Sequence, residues 1–236
     1  MSLNFRRSIP LSVLAACTTL AGCGGDEVKY EPRPAYSGQK ASLPPVPNVP
    51  KKPIKNGDAY TIWGASYSLR SRVHRKEVSG KKLNFVGYIT KTNLADAPAC
   101  SVHKGGKADP ENCKPPIPAF WIADSKDAPL QESIKVMGFA SNFAQIWEAI
   151  NEFDKGKEGA EYNDTFWGVK VPNPLPAVGA KVNVTGMYGT TFTKSSTGAE
   201  ADPVMGLITL EEMKELEPAP ELATLPTVKR KEKRKK

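Results

Sequence analysis

Seven prolines, Pro32, Pro34, Pro44, Pro45, Pro47, Pro50 and Pro53, fall between Glu31 and Lys55, in a stretch with few apolar side chains to bury. Each proline locks φ and removes a backbone donor, so neither a regular helix nor an inner strand can run through it. An extended, semi-rigid tether over residues 23–57 is therefore expected. At the polyproline rise of about 3.1 Å per residue it reaches up to roughly 70 Å. Its role is that of a spacer rather than a ligand for SH3-like partners. Whatever folds must lie further along. Between Asp58 and Glu217 the chain is of ordinary single-domain size, long enough for a real core, and shows no internal repeat.

Within residues 58–217, Trp63, Ala65, Tyr67 and Leu69 alternate with Gly64, Ser66, Ser68 and Arg70, and a period of two predicts a strand. Lys82–Thr92 predicts a second, with Leu83, Phe85, Gly87 and Ile89 on one side and Val86 and Tyr88 on the other. The apolar run Ala119–Ala123 predicts a third, which Ile134–Phe139 extends or accompanies. Then the period changes. Phe143, Ile146, Trp147, Ile150 and Phe153 recur at three and four, behind Ser141 as N-cap and ahead of Gly156, and predict an amphipathic helix. So short a helix must pack on a sheet to be stable. Val182, Val184, Gly186 and Tyr188 alternate with Lys181, Asn183, Thr185 and Met187 in the clearest strand of the chain. Gly206–Leu210 opens as a strand, whereas Glu211–Leu216 fits a strand or a helical turn equally.

The order strand, strand, strand, helix, strand, strand resembles an OB-fold, a Greek-key barrel with its helix between the third and fourth strands. The resemblance rests on element order, and an unrelated small barrel or sandwich fits the same alternation. The expected class is mainly β: an OB-fold-like small β-barrel with one amphipathic helix between the third and fourth strands.

At the N-terminus, Arg6 and Arg7 precede an apolar stretch from Ile9 to Leu20, interrupted by Pro10, Ser12, Thr18 and Thr19. This is a charged region followed by a short hydrophobic one, the pattern of an export signal. A bilayer core needs about 20 apolar residues, more than this stretch holds. Leu20-Ala21-Gly22-Cys23 resembles the lipobox of bacterial lipoproteins. The resemblance implies that residues 1–22 are a signal peptide, that Cys23 carries palmitate-type acyl chains, and that the lipid bilayer is a partner. Ordinary secretion with Cys23 as a spare thiol is the alternative. Two or three chains hold better than one, since each buried CH₂ is worth about 0.8 kcal/mol. Gly24 stands where an Asp would resemble the inner-membrane retention signal, which favours the outer membrane within the cell envelope. The residues around Arg6-Arg7 match the twin-arginine motif poorly.

Of four cysteines, Cys17 leaves with the leader and Cys23 is used by lipid, so Cys100 and Cys113 remain. In an oxidising compartment the pair is expected as a disulfide. It would close a polar, Gly/Pro-rich loop that cannot hold its own shape, for about 3 kcal/mol in the chain-entropy model. The rival reading makes Cys100, His103 and Cys113 metal ligands, but it lacks a fourth. With no CxxCH there is no haem attachment, and neither metal nor cofactor is expected.

A formal charge of +8 suggests a nucleic-acid binder until it is partitioned. The leader carries two arginines, and the last eight residues carry seven basic side chains, Lys229, Arg230, Lys231, Lys233, Arg234, Lys235 and Lys236, against the single acid Glu232. Removing both leaves the mature body near zero. A disordered tail over residues 218–236 is expected. In an envelope it is drawn to anionic polymer, lipid phosphate or extracellular nucleic acid, screened beyond about 8 Å at physiological salt; a solvated, non-functional end fits the same run.

Catalysis needs a nucleophile, a base and an orienting group together. The chain has no G-x-S-x-G, H-E-x-x-H, Walker A or Rossmann pattern. His74 and His103 sit in no motif, and Asp124 and Asp127 read more simply as loop solvation and turn capping. Binding is the more natural use of an OB-like barrel, whose second and third strands present the ligand face. Tyr88 and Trp121 are the candidates for that face, unless both are core aromatics. Stacking would be the mechanism. A near-neutral body disfavours nucleic acid, leaving envelope protein, glycan or anionic polymer as partners. The expectation is a membrane-anchored, non-catalytic binding or assembly module. Two alternatives stand beside it: a structural or stress-related protein gripping anionic polymer through its tail, and a hydrolase using His74 or His103.

Overall fold

The computed structural model describes residues 52–155, 159–192, 194, 204–226 and 228, all within one unit, Val49–Lys236. The leader with Cys17, the lipobox with Cys23, the prolines up to Pro50, Gly156 and the basic run 229–236 lie outside the described residues. In chain order the elements are β1 (Lys55–Asn56), β2 (Ala59–Tyr60), α1 (Ile62–Arg70), α2 (Arg75–Val78), β3 (Lys81–Thr92), β4 (Ala119–Ala123), β5 (Ile134–Met137), α3 (Phe143–Phe153), β6 (Tyr162–Asn163), β7 (Lys170–Val171), β8 (Lys181–Gly189) and β9 (Leu207–Glu217).

Five of these strands close a barrel. β3 pairs with β4, β4 with β5, β5 with β9, β9 with β8, and β8 returns to β3. Counting barrel strands along the chain, the order is first, second, third, fifth, fourth and back to the first. All pairings are antiparallel except third with fifth, β5 with β9, which is parallel. With α3 between the third and fourth strands, this is an OB-fold-like barrel. β3 makes closure possible: Lys81–Tyr88 pair with β8, Tyr88–Thr92 pair with β4, and a register shift lies between Ile89 and Lys91. Such an irregularity bends a strand and increases its twist. Tyr88, paired on both sides, sits at the corner.

Alternation sorts the strands into two faces. Phe85 and Ile89 of β3, Phe120 and Ile122 of β4, Ile134 and Val136 of β5, and Val182 and Val184 of β8 enter the main core. Ile62, Ala65 and Leu69 of α1 and Phe143, Ile146, Ala149, Ile150 and Phe153 of α3 join the same core. Fully burying one such aliphatic or Phe side chain is worth about 1.5–3 kcal/mol, so both helices are held by tertiary contact rather than by propensity.

The strand predicted at Trp63–Arg70 is a helix. The buried set Ile62, Ala65, Leu69 has spacings of three and four, which the alternating set Trp63, Ala65, Tyr67, Leu69 conceals. Trp63 and Tyr67 instead stack on each other one turn apart, their centroids 5.1 Å apart and planes 16° from parallel. Thr61 caps the helix by accepting from the Gly64 N–H at 2.9 Å. A Cβ on Gly64 would lie 2.2 Å from the Ile54 carbonyl oxygen, so only glycine lets α1 rest against the segment before β1.

Other expectations shift by small amounts. Ile134–Phe139 does not extend the third predicted strand but supplies its own, β5, which restores the strand count. Asn142 rather than Ser141 caps α3, accepting from the Gln145 N–H at 3.0 Å. Glu211–Leu216 continues as strand, because β8 pairs with β9 along its length. Lys55–Asn56, placed by sequence in the tether, forms β1, and Leu225, placed in the tail, is buried in the main core.

Candidate functional site

Tyr88 and Trp121 lie on the outer face of the barrel, opposite in parity to Phe85, Ile89, Phe120 and Ile122, and both are half-buried. Each ring is flanked by two lysines. Lys91 of β3 and Lys135 of β5 stand opposite Trp121 on the two neighbouring strands, each ammonium 5.3 Å from the ring centroid. Lys181 of β8 stands opposite Tyr88 at 5.3 Å, and Lys126, just beyond β4, reaches the same ring at 5.2 Å. A cation over an aromatic face is worth about 0.5–1 kcal/mol at exposed sites and more where water is excluded. Burial lowers the Lys135 ammonium below the usual lysine range. The Lys181 ammonium is held above it, chiefly by its hydrogen bond to Glu217 and then by Tyr88.

Beside Tyr88 the outer face opens into a cleft of about 750 Å³. One wall comes from β2 and α1, the other from β3 and the connection between β4 and β5. Its aromatic lining is Tyr60, Trp63 and Tyr88, with neutral polar groups such as Asn56, Ser66, Ser125 and Gln131 between them. Arg70 and Lys181 bring cations, and Asp124 and Glu132 bring carboxylates. Asp124 is already committed. Its two oxygens accept the Ile62 and Trp63 N–H groups at 2.8 and 2.9 Å, capping α1 from across the fold. This is long-range helix capping, in place of the loop solvation or turn capping expected from sequence. Asp127 is exposed.

On the other side of Trp121 the outer face is covered. Ala119, Met137, Leu207 and Phe192 form a second small core, against which Ile117, Trp121 and Trp167 pack. Trp167 and Phe192 meet edge to face, centroids 5.6 Å apart. Asp164 holds the covering loop in place. Though buried, it accepts from the Ser141 N–H and hydroxyl and from the Phe166 and Trp167 N–H groups, at 2.7 to 2.9 Å. Sequence reading passed over Asp164. The available signal was Asn163-Asp164 followed by two aromatics, a turn-former placed to catch the amides after it.

The histidines lie elsewhere. His74 pairs with Glu77 at 3.0 Å, and both side chains are exposed. His103 contacts the Lys104 carbonyl and the Asp109 carboxylate, each at 2.9 Å. The carbonyl first, then the carboxylate, raises its pKa above the ordinary value. Neither histidine lines the cleft. Cys100 and Cys113 are joined by a disulfide with Cα atoms 6.1 Å apart, so two of the three ligands of the metal alternative are not thiolates. The Gly105 N–H donates to Glu148 of α3 at 2.8 Å and ties the disulfide loop to the barrel's helix.

No protein-family model and no curated protein matches the chain. Among solved structures it is similar to the crystal structure of a protein from Leishmania major Friedlin assigned as an aspartyl-tRNA synthetase, at 13% identity and a TM-score of 0.30, with 71% of this chain and 23% of that chain covered. The chain therefore spans less than a quarter of that protein's length, and a likeness this weak carries no argument. The placement among OB-fold-like barrels rests on strand order, the parallel pairing of β5 with β9, and the position of α3.

Proposed function

We propose that the protein is a lipid-anchored module of the bacterial envelope that binds its ligand on the outer face of the barrel and does no chemistry on it. The observation that carries the binding half is the cleft at Tyr88. Its volume of about 750 Å³ falls among ligand sites, which run to about 300–1,000 Å³. Three aromatic rings stand there beside neutral hydrogen-bonding groups, the mixture that orients a ligand without reacting with it. Of the two carboxylates in the lining, Asp124 is occupied by two backbone donors. The anchoring half rests on Leu20-Ala21-Gly22-Cys23, and the proline stretch behind it gives the barrel reach from the lipid, with the outer membrane as the favoured address.

One experiment in intact cells tests both halves. A photo-reactive residue is placed at Gln131 on the cleft wall and, as control, at exposed Leu222, with and without Cys23→Ala. Crosslinks should form from position 131, disappear with Tyr88→Ala, and be absent from position 222. Equal labelling from both positions would refute a cleft-centred module. Cys23→Ala should leave the membrane fraction and lose palmitate labelling; a variant that still takes up palmitate ends the anchoring argument.

A further inference from the structure

We infer that the cleft and the lysine-flanked Trp121 form one extended site for an acidic glycan, a chain of sugar rings bearing carboxylates. This rests on the reading of the barrel as a binding module and names its ligand class. Tyr88 stands opposite Ala123 across the β3–β4 pairing, and Trp121 lies two residues back along β4 on the same outer face. Two residues of strand cover about 7 Å, so the two rings belong to one continuous track. The track is blocked beyond Trp121 by Trp167 and Phe192 and opens at its other end into the cleft.

The contents of the track select among ligands. In the cleft, Asn56, Ser125 and Gln131 offer neutral donors and acceptors matched to hydroxyls. A purely apolar ligand would leave those groups buried without partners. Trp63, braced on one side by Tyr67, supplies an aromatic platform to the cleft. Along the track, Lys91 and Lys135 stand on either side of Trp121, and Lys126 and Lys181 approach Tyr88. The lysines of the Trp121 rung come from the strands on either side of β4, and both ammonium groups converge on the ring.

The same lysines argue against nucleic acid. Base stacking uses an open aromatic face, and here ammonium groups reach Trp121 from the strands on either side and Tyr88 from β8 and from the loop after β4. Strong phosphate binding also needs a basic body, and the charge of this chain is concentrated in the leader and the tail. A bilayer surface is disfavoured by shape, since the cleft is concave.

The test uses the full chain in detergent, titrated by tryptophan fluorescence with an oligogalacturonate, its methyl-esterified neutral form, a single-stranded DNA oligonucleotide and anionic phospholipid vesicles at one ionic strength. The acidic oligosaccharide should bind about tenfold tighter than its ester. The pair Lys91→Gln with Lys135→Gln should remove that preference, bringing the acid form to the affinity of its ester. Lys126→Gln, a change at an exposed loop position, should weaken the acid form more than the ester. Equal binding of acid and ester, tighter binding of DNA or vesicles, or an acid preference that survives all three lysine changes would each overturn the inference. If the oligogalacturonate does not bind while crosslinks from position 131 persist, the ligand class is wrong and the binding module stands. Loss of both signals removes both.

Discussion

Asp164 is 1% exposed, and its carboxylate serves four donors: the Ser141 N–H and hydroxyl, and the Phe166 and Trp167 N–H groups. Asp164→Ala leaves all four facing a space that water fills poorly. A hydrogen bond to a charged group contributes about 1.5–3 kcal/mol net. Four bonds on one carboxylate do not add, because losing the first lets the others relax. The expected loss is therefore about 3–5 kcal/mol, the range for a disrupted buried network. Asp164→Asn keeps one acceptor oxygen but turns an NH₂ toward two donors, so it should lose most of the same amount. The assay is equilibrium urea unfolding followed by tryptophan fluorescence. With a slope of about 2 kcal/mol per molar urea, the Ala midpoint should fall by about 1.5–2.5 M. The near-ultraviolet dichroism of Trp167 against Phe192 should weaken in parallel. A midpoint shift below about 0.5 M, or an Asn variant equal to the native protein, would refute the reasoning.

Three further outcomes follow from single features. Gly64→Ala should destabilise by about 1–3 kcal/mol, because the new Cβ meets Ile54 backbone atoms at 2.2 and 2.5 Å, which cannot give as a side-chain tip can; an unchanged melting temperature would show that α1 slides freely. The Lys104 carbonyl and then the Asp109 carboxylate hold the folded His103 pKa above the ordinary histidine value, so its grip on the disulfide loop is fully present below that ordinary value and is lost as pH rises through the folded one. Amide exchange in residues 103–109, corrected for its intrinsic pH dependence, should therefore accelerate as pH rises through the folded value; a flat profile contradicts this. Cys100→Ser with Cys113→Ser should lower stability by about 3 kcal/mol in chemical denaturation, and a loss below about 0.5 kcal/mol would mean that Gly105–Glu148 and His103–Asp109 already hold the loop.

The candidate site was legible in part. Tyr88 and Trp121 could be picked out as aromatics on the second and third strands expected from sequence, the ligand face of an OB-like barrel; with α1 a helix, they stand on the first and second barrel strands instead. Their lysines could not, since Lys91, Lys135 and Lys181 are adjacent to those rings only through strand pairing across sequence gaps that local pattern does not bridge. Trp63 was visible as an aromatic but assigned to a strand, because Trp63, Ala65, Tyr67 and Leu69 satisfy a period of two by accident, while the helical set begins one residue earlier at Ile62. The capping carboxylate of that helix lies 62 residues away from Ile62, beyond the reach of any capping motif.

What the sequence determined alone is local or compositional: prolines that bar a regular helix, charge collected at the ends, the nearby cysteines Cys100 and Cys113, and the apolar periodicity of β3, β8 and α3. These depend on dihedral restrictions and spacings within a few residues. Only the tertiary structure decided that β3 bends at Ile89–Lys91 to close a barrel, that β5 meets β9 in parallel, that α1 is a helix, and that its face, Tyr88 and the β4–β5 connection surround one cleft. Each of these is a contact between distant residues, stabilised by burial and by hydrogen bonds that exist only once the barrel has closed.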